Sequence, residues 1–210
     1  MEKYEKDVAA ALLDVKAVQL SPTEPFTWAS GLKSPIYCDN RKILSFPTVR
    51  SYIADCLIQV IQEQFKSVEV IAAVATGAIA IGSLVADRMN LPMIYIRPKP
   101  KDHGTGSQIE GVLPKGANVV VIEDLISTGM SSLAAAQVVA SNGGLVDGMV
   151  AIFSYNFVKS RRAFENANIT LYTLTNYDTL LQVAGESHYI NEAEREILKE
   201  WRFRPDDWGK

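Results

Sequence analysis

Histidine and cysteine are scarce in this sequence, with two of each among its 210 residues. Cys38 and Cys56 show no CxxC spacing and no histidine cluster accompanies them, so we interpret both as reduced structural thiols. The two histidines, His103 and His188, offer no pattern from which a Ser/His/Asp or Cys/His triad could be argued. The sequence therefore does not point to a protein nucleophile that is activated by histidine.

The sequence also lacks a basic excess and a long apolar run. Its formal net charge of −3 disfavours a general role on nucleic acids or membrane surfaces, because proteins of both kinds usually carry excess positive charge. No run approaches the roughly 18 apolar residues of a membrane span, and the charged start MEKYEKDVAA does not resemble a signal peptide. We expect one cytoplasmic domain over residues 1–210 that binds neither nucleic acid nor membranes.

What the sequence does contain, from residue 68 onwards, is an alternation of apolar strands with helices. The spacing predicts strands over 68–75, 93–97, 119–123, 145–153 and 169–174, and helices over 79–89, 131–141, 160–166, 176–184 and 191–201. This order implies an α/β fold in which a parallel central sheet carries helices on both faces and binds ligands at the carboxyl ends of its strands.

The N-terminal part of the sequence does not follow this alternation. Its spacing predicts a helix over 3–20 and a second one over 47–65. Between them lies a loop rich in proline and glycine, with a short strand over 36–38. We expect residues 1–45 to form a small hood over one edge of the sheet.

The most informative stretch is VVVIEDLISTGMSS, residues 119–132. A buried strand ends in Glu123 and Asp124, and a turn that contains hydroxyl groups and Gly129 leads into an alanine-rich helix. The N–H groups of such a turn and of the helix N-terminus attract phosphate, and the preceding carboxylates can accept hydrogen bonds from ribose hydroxyls. The stretch is neither a Walker loop nor a GxGxxG motif. It predicts a site for a sugar phosphate.

A second constellation is RPKPKDHGTGSQIEG, residues 97–111, which combines cations with residues that break helices and strands. Its basic residues are Arg97, Lys99, Lys101 and His103. Alone, such a segment would be a solvated basic loop, but here it precedes a phosphate-type turn in an acidic protein. Four donors suit a diphosphate, and connections of this length are usually functional lids or disordered. We expect residues 98–116 to form a mobile catalytic loop.

Three separated motifs resemble those of a known enzyme family. Residues 119–132 are similar to the phosphoribosyl diphosphate (PRPP) motif of the type I phosphoribosyltransferases. Residues 97–104 resemble the catalytic loop of the orotate phosphoribosyltransferases, and SGLKSPIYCDNR, residues 30–41, resembles the substrate hood of their bacterial form. The resemblance implies transfer of the phosphoribosyl group of PRPP to orotate, which gives orotidine 5′-monophosphate and diphosphate in pyrimidine biosynthesis. It also implies Mg²⁺ as cofactor and a homodimer in which the loop of one subunit completes the partner's site.

The resemblance further implies roles for individual residues. Lys101, His103 and Asp124 would be catalytic, the first two at the leaving diphosphate and the third at the sugar. Orotate would meet the hydroxyl of Ser127 and the backbone of Tyr37 and Cys38. Mg²⁺ would be held mainly by PRPP, with Asp124 as candidate protein ligand. The residues expected to bind PRPP are Arg97, Lys101, His103, Glu123, Asp124, Leu125, Ile126, Ser127, Thr128, Gly129, Met130, Ser131 and Thr76.

The sequence departs from the family at several positions. Ala29, Pro98 and Thr76 stand where some members carry lysine, and the arginine that meets the orotate carboxylate in those members has no counterpart near Asn156. We hypothesise that Arg41 or Lys42 binds this carboxylate instead.

Two alternative functions share the fold. A purine phosphoribosyltransferase would have the PRPP turn without the SGLKSPIYCDNR and KDHG segments. A PRPP-sensing regulator would typically add a DNA-binding helix-turn-helix or a basic RNA-binding surface. Residues 3–20 are too short for a helix-turn-helix domain, and the acidic balance disfavours RNA.

Overall fold

The computed structural model describes residues 2–28, 31–100, 107–205 and 207–208. Its strands are β1 (Val18–Leu20), β2 (Phe26–Thr27), β3 (Lys33–Ser34), β4 (Ile36–Cys38), β5 (Val70–Val74), β6 (Met93–Ile96), β7 (Ile109–Glu110), β8 (Asn118–Ile126), β9 (Leu145–Ser154) and β10 (Leu171–Asn176). Its helices are α1 (Glu2–Asp14), α2 (Pro47–Gln64), α3 (Ile79–Met89), α4 (Met130–Ser141), α5 (Val158–Asn166), α6 (Tyr177–Glu186) and α7 (Glu192–Phe203), with a 3₁₀ helix over Asn40–Ser45.

Six strands form the central sheet in the order β10-β9-β8-β5-β6-β7, and every pair except β6–β7 is parallel. Alternate strand residues face two apolar layers. Ile71 and Ile122 pack with residues of α1, α2, α3 and α6 on one face, whereas Ala72 and Val121 pack with residues of α4 and α5 on the other. Burial on both faces explains why β5 is apolar throughout. The predicted parallel sheet with helices on both faces is confirmed.

The predicted helix over 3–20 is wrong in its last part. Helix α1 ends at Asp14, and Lys16 then adopts a left-handed conformation with φ of 55°, which a helix cannot continue. The chain returns as β1, which pairs antiparallel with β4. The short strand expected over 36–38 is confirmed.

Strand β8 is longer than predicted. Leu125 and Ile126, which we expected in the phosphate turn, are still paired with Phe153 and Ser154 of β9. Because β9 extends equally far, the ladder of hydrogen bonds continues past the two acids. The expected loop over 98–116 is also wrong in part, since β7 pairs antiparallel with β6 at the edge of the sheet.

The N-terminal segment is joined to the rest of the domain by apolar contacts. Helix α1 packs on α6 and β10, and its buried side chains belong to the main core. Trp28 lies next to Trp201 and Tyr155, with ring centroids 5.8 and 5.9 Å apart, and its indole N–H donates to the carbonyl of Ile36 over 3.1 Å. The side chain of Trp201 is fully buried. That residues 1–45 act as a hood stays a prediction.

Within the described ranges, no helix is both long and apolar enough to cross a membrane.

Candidate active site

The carboxyl ends of β5 and β8 bring two loops into contact. Strand β5 is followed by Ala75-Thr76-Gly77, and the peptide bond between Ala75 and Thr76 is cis. The side chain of Asp124, in β8, reaches across to this loop. A Cβ atom added to Gly77 would lie only 2.1 Å from Oδ2 of Asp124. Glycine at this position therefore leaves the space that the Asp124 carboxylate occupies.

A cavity of about 320 Å³ opens where these loops meet. Much of the predicted PRPP site lines it. Its lining residues are Val74, Ala75, Thr76, Gly77, Glu123, Asp124, Leu125, Ser127, Thr128, Gly129 and Ser131. Within the predicted turn, two residues do not line it. Ile126 is fully buried within β8, and Met130 projects outwards with 64% of its surface exposed.

The turn from Ser127 to Gly129 ends at the N-terminus of α4. Gly129 has φ of 80° and precedes the helix, and no side chain in the described part of the chain caps its first turn. A Cβ atom at Gly129 would lie 2.8 Å from Phe164, so the turn packs tightly against α5. The first N–H groups of a helix lack intrahelical partners and favour anions. The turn thus has the chemistry of a phosphate site, as the sequence predicted.

The two acids differ in environment. Glu123 is only 4% exposed, and its carboxyl accepts hydrogen bonds from the Ser132 hydroxyl over 2.7 Å and from the Asp124 N–H over 3.1 Å. Burial and the neighbouring Asp124 carboxylate raise the pKa of Glu123 to about 8, against the opposing effect of the Ser132 hydrogen bond. Asp124 is half-buried and faces the loop after β5. It is therefore the more accessible acid of the pair.

Sequence reasoning missed two residues that position these acids. Ser132 lies one residue beyond the predicted binding list, although its hydroxyl belongs to the same STGMSS stretch. Asn40 is 2% exposed, and its side-chain N–H donates to the backbone carbonyl of Asp124 over 2.6 Å. The sequence feature that could have indicated Asn40 is its position in the CDNR segment. Asn40 links the N-terminal segment directly to the acid pair.

Arg97 lies at the end of β6, the strand next to β5. Its guanidinium is 3.8 Å from the carboxylate of Glu110. It lines a small cavity of about 110 Å³ together with Ser131 of α4. This position lies beside the phosphate turn. Lys101 and His103 fall outside the described residues.

A second cavity, of about 270 Å³, lies on the other side of the turn. Ser127 and Thr128 line both cavities. The remaining lining residues of the second cavity are Trp28, Leu32, Asn156, Phe157, Val158, Lys159, Arg202, Phe203 and Pro205. It is therefore the more apolar of the two and carries an aromatic wall.

Three residues predicted to contact orotate belong to the N-terminal segment and do not line this second cavity. Burial of the Cys38 thiol, followed by the Asp124 and Asp39 carboxylates, raises its pKa well above its usual value. The Pro35 carbonyl and the Asp39 N–H form hydrogen bonds on the side of β4 that faces β1. Because the direction of the backbone groups alternates along a strand, those of Cys38 point to the opposite side, where the Ile36 carbonyl accepts the hydrogen bond from Trp28.

The other two are at the surface. Tyr37 is partly exposed, and its ring lies tilted against that of Phe26 with the centroids 5.7 Å apart. Arg41 forms two hydrogen bonds to the carboxylate of Asp39, at 2.6 and 3.0 Å. Their contacts with orotate stay predictions.

Comparison with known proteins agrees with this geometry. The family model of the phosphoribosyl transferase domain matches residues 40–170. An orotate phosphoribosyltransferase from Cytophaga hutchinsonii is 51% identical over 207 residues, which cover 99% of both chains. One from Enterococcus faecalis is 52% identical over 210 residues and covers both chains completely. The chain belongs to the orotate phosphoribosyltransferase family.

A solved structure of an orotate phosphoribosyltransferase from Aeropyrum pernix supports the same placement. It superimposes with a TM-score of 0.76 at 28% identity, and the match covers 88% of this chain and 99% of that one. The PRPP motif and the 3₁₀ helix that carries Asn40 lie within the residues matched by the family model.

Replacing Glu123 with glutamine tests the electrostatics of this family member's acid pair. With a native pKa near 8, well above the usual value of 4.5, native Glu123 binds more protons than the unfolded chain between these two pH values. The stability that its protonation contributes is complete at low pH and is lost as the pH rises through 8. Glu123→Gln should therefore lose this pH dependence and gain stability over the wild type at alkaline pH, as measured by urea unfolding across the range. Glu24→Gln at the exposed surface is the control, and a wild-type slope in Glu123→Gln would contradict the burial argument.

Proposed function

We propose that this protein transfers the phosphoribosyl group of PRPP to orotate, giving orotidine 5′-monophosphate and diphosphate in pyrimidine biosynthesis. The relatives named above carry this activity in their names. One structural observation supports it most directly. Ser127 and Thr128 form a wall between a polar cavity with a phosphate-type turn and an apolar cavity with an aromatic wall. A sugar phosphate and a planar base could meet at that wall.

The polar cavity accommodates the parts of PRPP by their chemistry. The uncapped N–H groups at Gly129 and the hydroxyls of the turn suit the 5′-phosphate. The Asp124 carboxylate can accept hydrogen bonds from the ribose hydroxyls. The loop Ala75-Thr76-Gly77 lies against the Asp124 carboxylate and lines the same cavity, and we assign the diphosphate to it.

The reaction exchanges one bond at the anomeric carbon. The bond to the diphosphate oxygen breaks and diphosphate leaves with the electron pair, while a ring nitrogen of orotate forms the new bond and its N–H proton passes to the departing diphosphate. The sugar becomes positively charged on the way, and the nearby Asp124 carboxylate stabilises that charge. Arg97, at the end of β6, adds positive charge on the diphosphate side. Lys101 and His103 would complete this cationic environment when the loop closes and excludes water.

The acid pair also fits a metal ion that arrives on the substrate. Among the described residues, no group of three or more histidine, cysteine, aspartate or glutamate side chains could hold an ion by itself. Mg²⁺ prefers oxygen ligands and commonly binds through one or two carboxylates together with substrate phosphates. We propose that PRPP supplies most of its ligands and Asp124 the protein ligand. The ion would neutralise charge on the departing diphosphate.

We further propose a cytoplasmic homodimer in which the loop of each subunit completes the partner's site. The two cysteines, which are free thiols in the structure, are consistent with a reducing compartment.

A spectrophotometric assay tests the proposed reaction. The protein is incubated with PRPP, Mg²⁺ and orotate, and the loss of orotate absorbance is followed, with adenine, guanine and uracil as alternative acceptors. We expect turnover with orotate. Turnover with a purine alone would indicate a purine phosphoribosyltransferase, and PRPP binding without any turnover would indicate a regulator.

Gly77→Ala tests the role of Asp124. The added methyl group must displace the Asp124 carboxylate, and a misplacement of about 1 Å in an active site can lower the rate on the order of 100-fold. We expect kcat/KM for PRPP to fall between about 10- and 100-fold. The fold should tolerate the change because the Asp124 side chain can rotate away from the added methyl group. Gly185→Ala is the matched control, since a Cβ atom there meets nothing within 4 Å. Unchanged kcat/KM in Gly77→Ala would contradict the role of this carboxylate.

Mixing two inactive variants tests the shared site. Lys101→Ala would disable the loop, and Asp124→Asn would disable the cavity. If loops cross between subunits, half of the subunit pairs in an equal mixture carry one intact site, which restores about a quarter of the wild-type activity. Mixtures that stay as inactive as their components, although subunits exchange, would show that each site uses its own loop.

A further inference from the structure

The apolar cavity beside Ser127 is built to hold a flat ring. Trp28 and Leu32 come from the N-terminal segment, and Phe157 comes from the start of α5. Trp28 is held in place by its hydrogen bond to the Ile36 carbonyl and by the neighbouring rings of Trp201 and Tyr155. A preformed apolar pocket with few polar groups is typical of a small-molecule site, in which those polar groups decide orientation.

Two basic side chains line this cavity, Lys159 and Arg202. Arg202 is already engaged, because its guanidinium forms an ion pair with Asp178 and lies 5.9 Å from the ring centroid of Phe203. Lys159 has no ion-pair or side-chain hydrogen-bond partner within the described ranges of the chain. Its ammonium group is therefore available to an anionic group in the cavity.

The backbone around Lys159 also favours an anionic group in the cavity. Phe157, Val158 and Lys159 form the N-terminus of α5, and this turn itself lines the cavity. No side chain in the described part of the chain caps the helix, and its first turn contains no acidic residue. The partial positive charge of a helix N-terminus thus adds to the charge of the lysine.

The other candidate cations are occupied elsewhere. Arg41 is paired with Asp39 through two hydrogen bonds, and the ammonium group of Lys42 donates to the backbone carbonyl of Lys16 over 3.1 Å. Neither residue lines the cavity. Asn156 lies three residues before Lys159 and lines the same cavity.

We propose that Lys159 binds the carboxylate of the acceptor base, and that it makes the protein select a pyrimidine carboxylate over an uncharged pyrimidine. This inference rests on the proposed function, because it assigns the acceptor to the cavity beside Ser127. Lys159 acts as a specificity residue in binding, and the departure of diphosphate does not depend on it.

The test compares Lys159→Ala and Lys159→Arg with the wild type in steady-state assays that vary orotate and PRPP separately. Because Lys159→Ala removes a charge-assisted hydrogen bond, we expect the orotate KM to rise about 10- to 100-fold. The KM for PRPP should stay within about twofold, since ground-state binding of the donor is untouched. Lys159→Arg keeps the positive charge and should retain most of the orotate affinity. Arg162→Ala, an exposed cation on the same helix, is the matched control.

Uracil provides the decisive comparison, because it has the ring of orotate without the carboxylate. Lys159→Ala should lower kcat/KM for orotate and leave kcat/KM for uracil unchanged, so that the preference for orotate shrinks by the same 10- to 100-fold factor. An unchanged orotate KM, equal losses with both acceptors, or the loss appearing in Arg202→Ala instead would overturn the inference. A wild-type protein that does not use orotate at all would overturn the proposed function as well.

Discussion

The pairing of β5 with β8 is the constraint on which the site depends. The two strands are far apart in sequence and adjacent in the sheet, with Ala73 opposite Ile122. Because they are parallel, their carboxyl ends lie at the same edge, and the loop after β5 faces the acids near the end of β8. The absence of a side chain at Gly77 then lets the Asp124 carboxylate approach that loop. The cavity assigned to PRPP exists because these two loops meet.

The acid pair also shows how one site divides two tasks between neighbouring residues. Strand geometry turns consecutive side chains to opposite faces, so Glu123 is directed inwards to Ser132 while Asp124 is directed to the loop after β5. Burial favours the protonated form of Glu123, which limits the negative charge that two adjacent carboxylates would otherwise concentrate where anionic phosphates bind. We infer that Glu123 shapes the turn and that Asp124 meets the substrate.

The sequence allowed the alternating part of the fold to be predicted, because β5, β8 and β9 are apolar runs bounded by turn residues. It also allowed the phosphate turn to be predicted, because hydroxyls and glycine follow the acids directly. The ends of elements were harder to predict. Leu125 and Ile126 follow the acids as turn residues would, and only the equal length of β9 keeps them in the sheet. Contacts between distant segments left no local pattern, so the bond from Asn40 to Asp124 and the place of Lys159 in the cavity wall required the folded structure.

Trp28 gives this protein an optical property of practical use. Its indole forms part of the wall of the apolar cavity and packs against the rings of Trp201 and Tyr155. A ring that enters the cavity would change the polarity around this indole and thereby its emission. The native chain therefore contains a fluorophore at the place where the acceptor is expected to bind, and occupancy could be followed without a label.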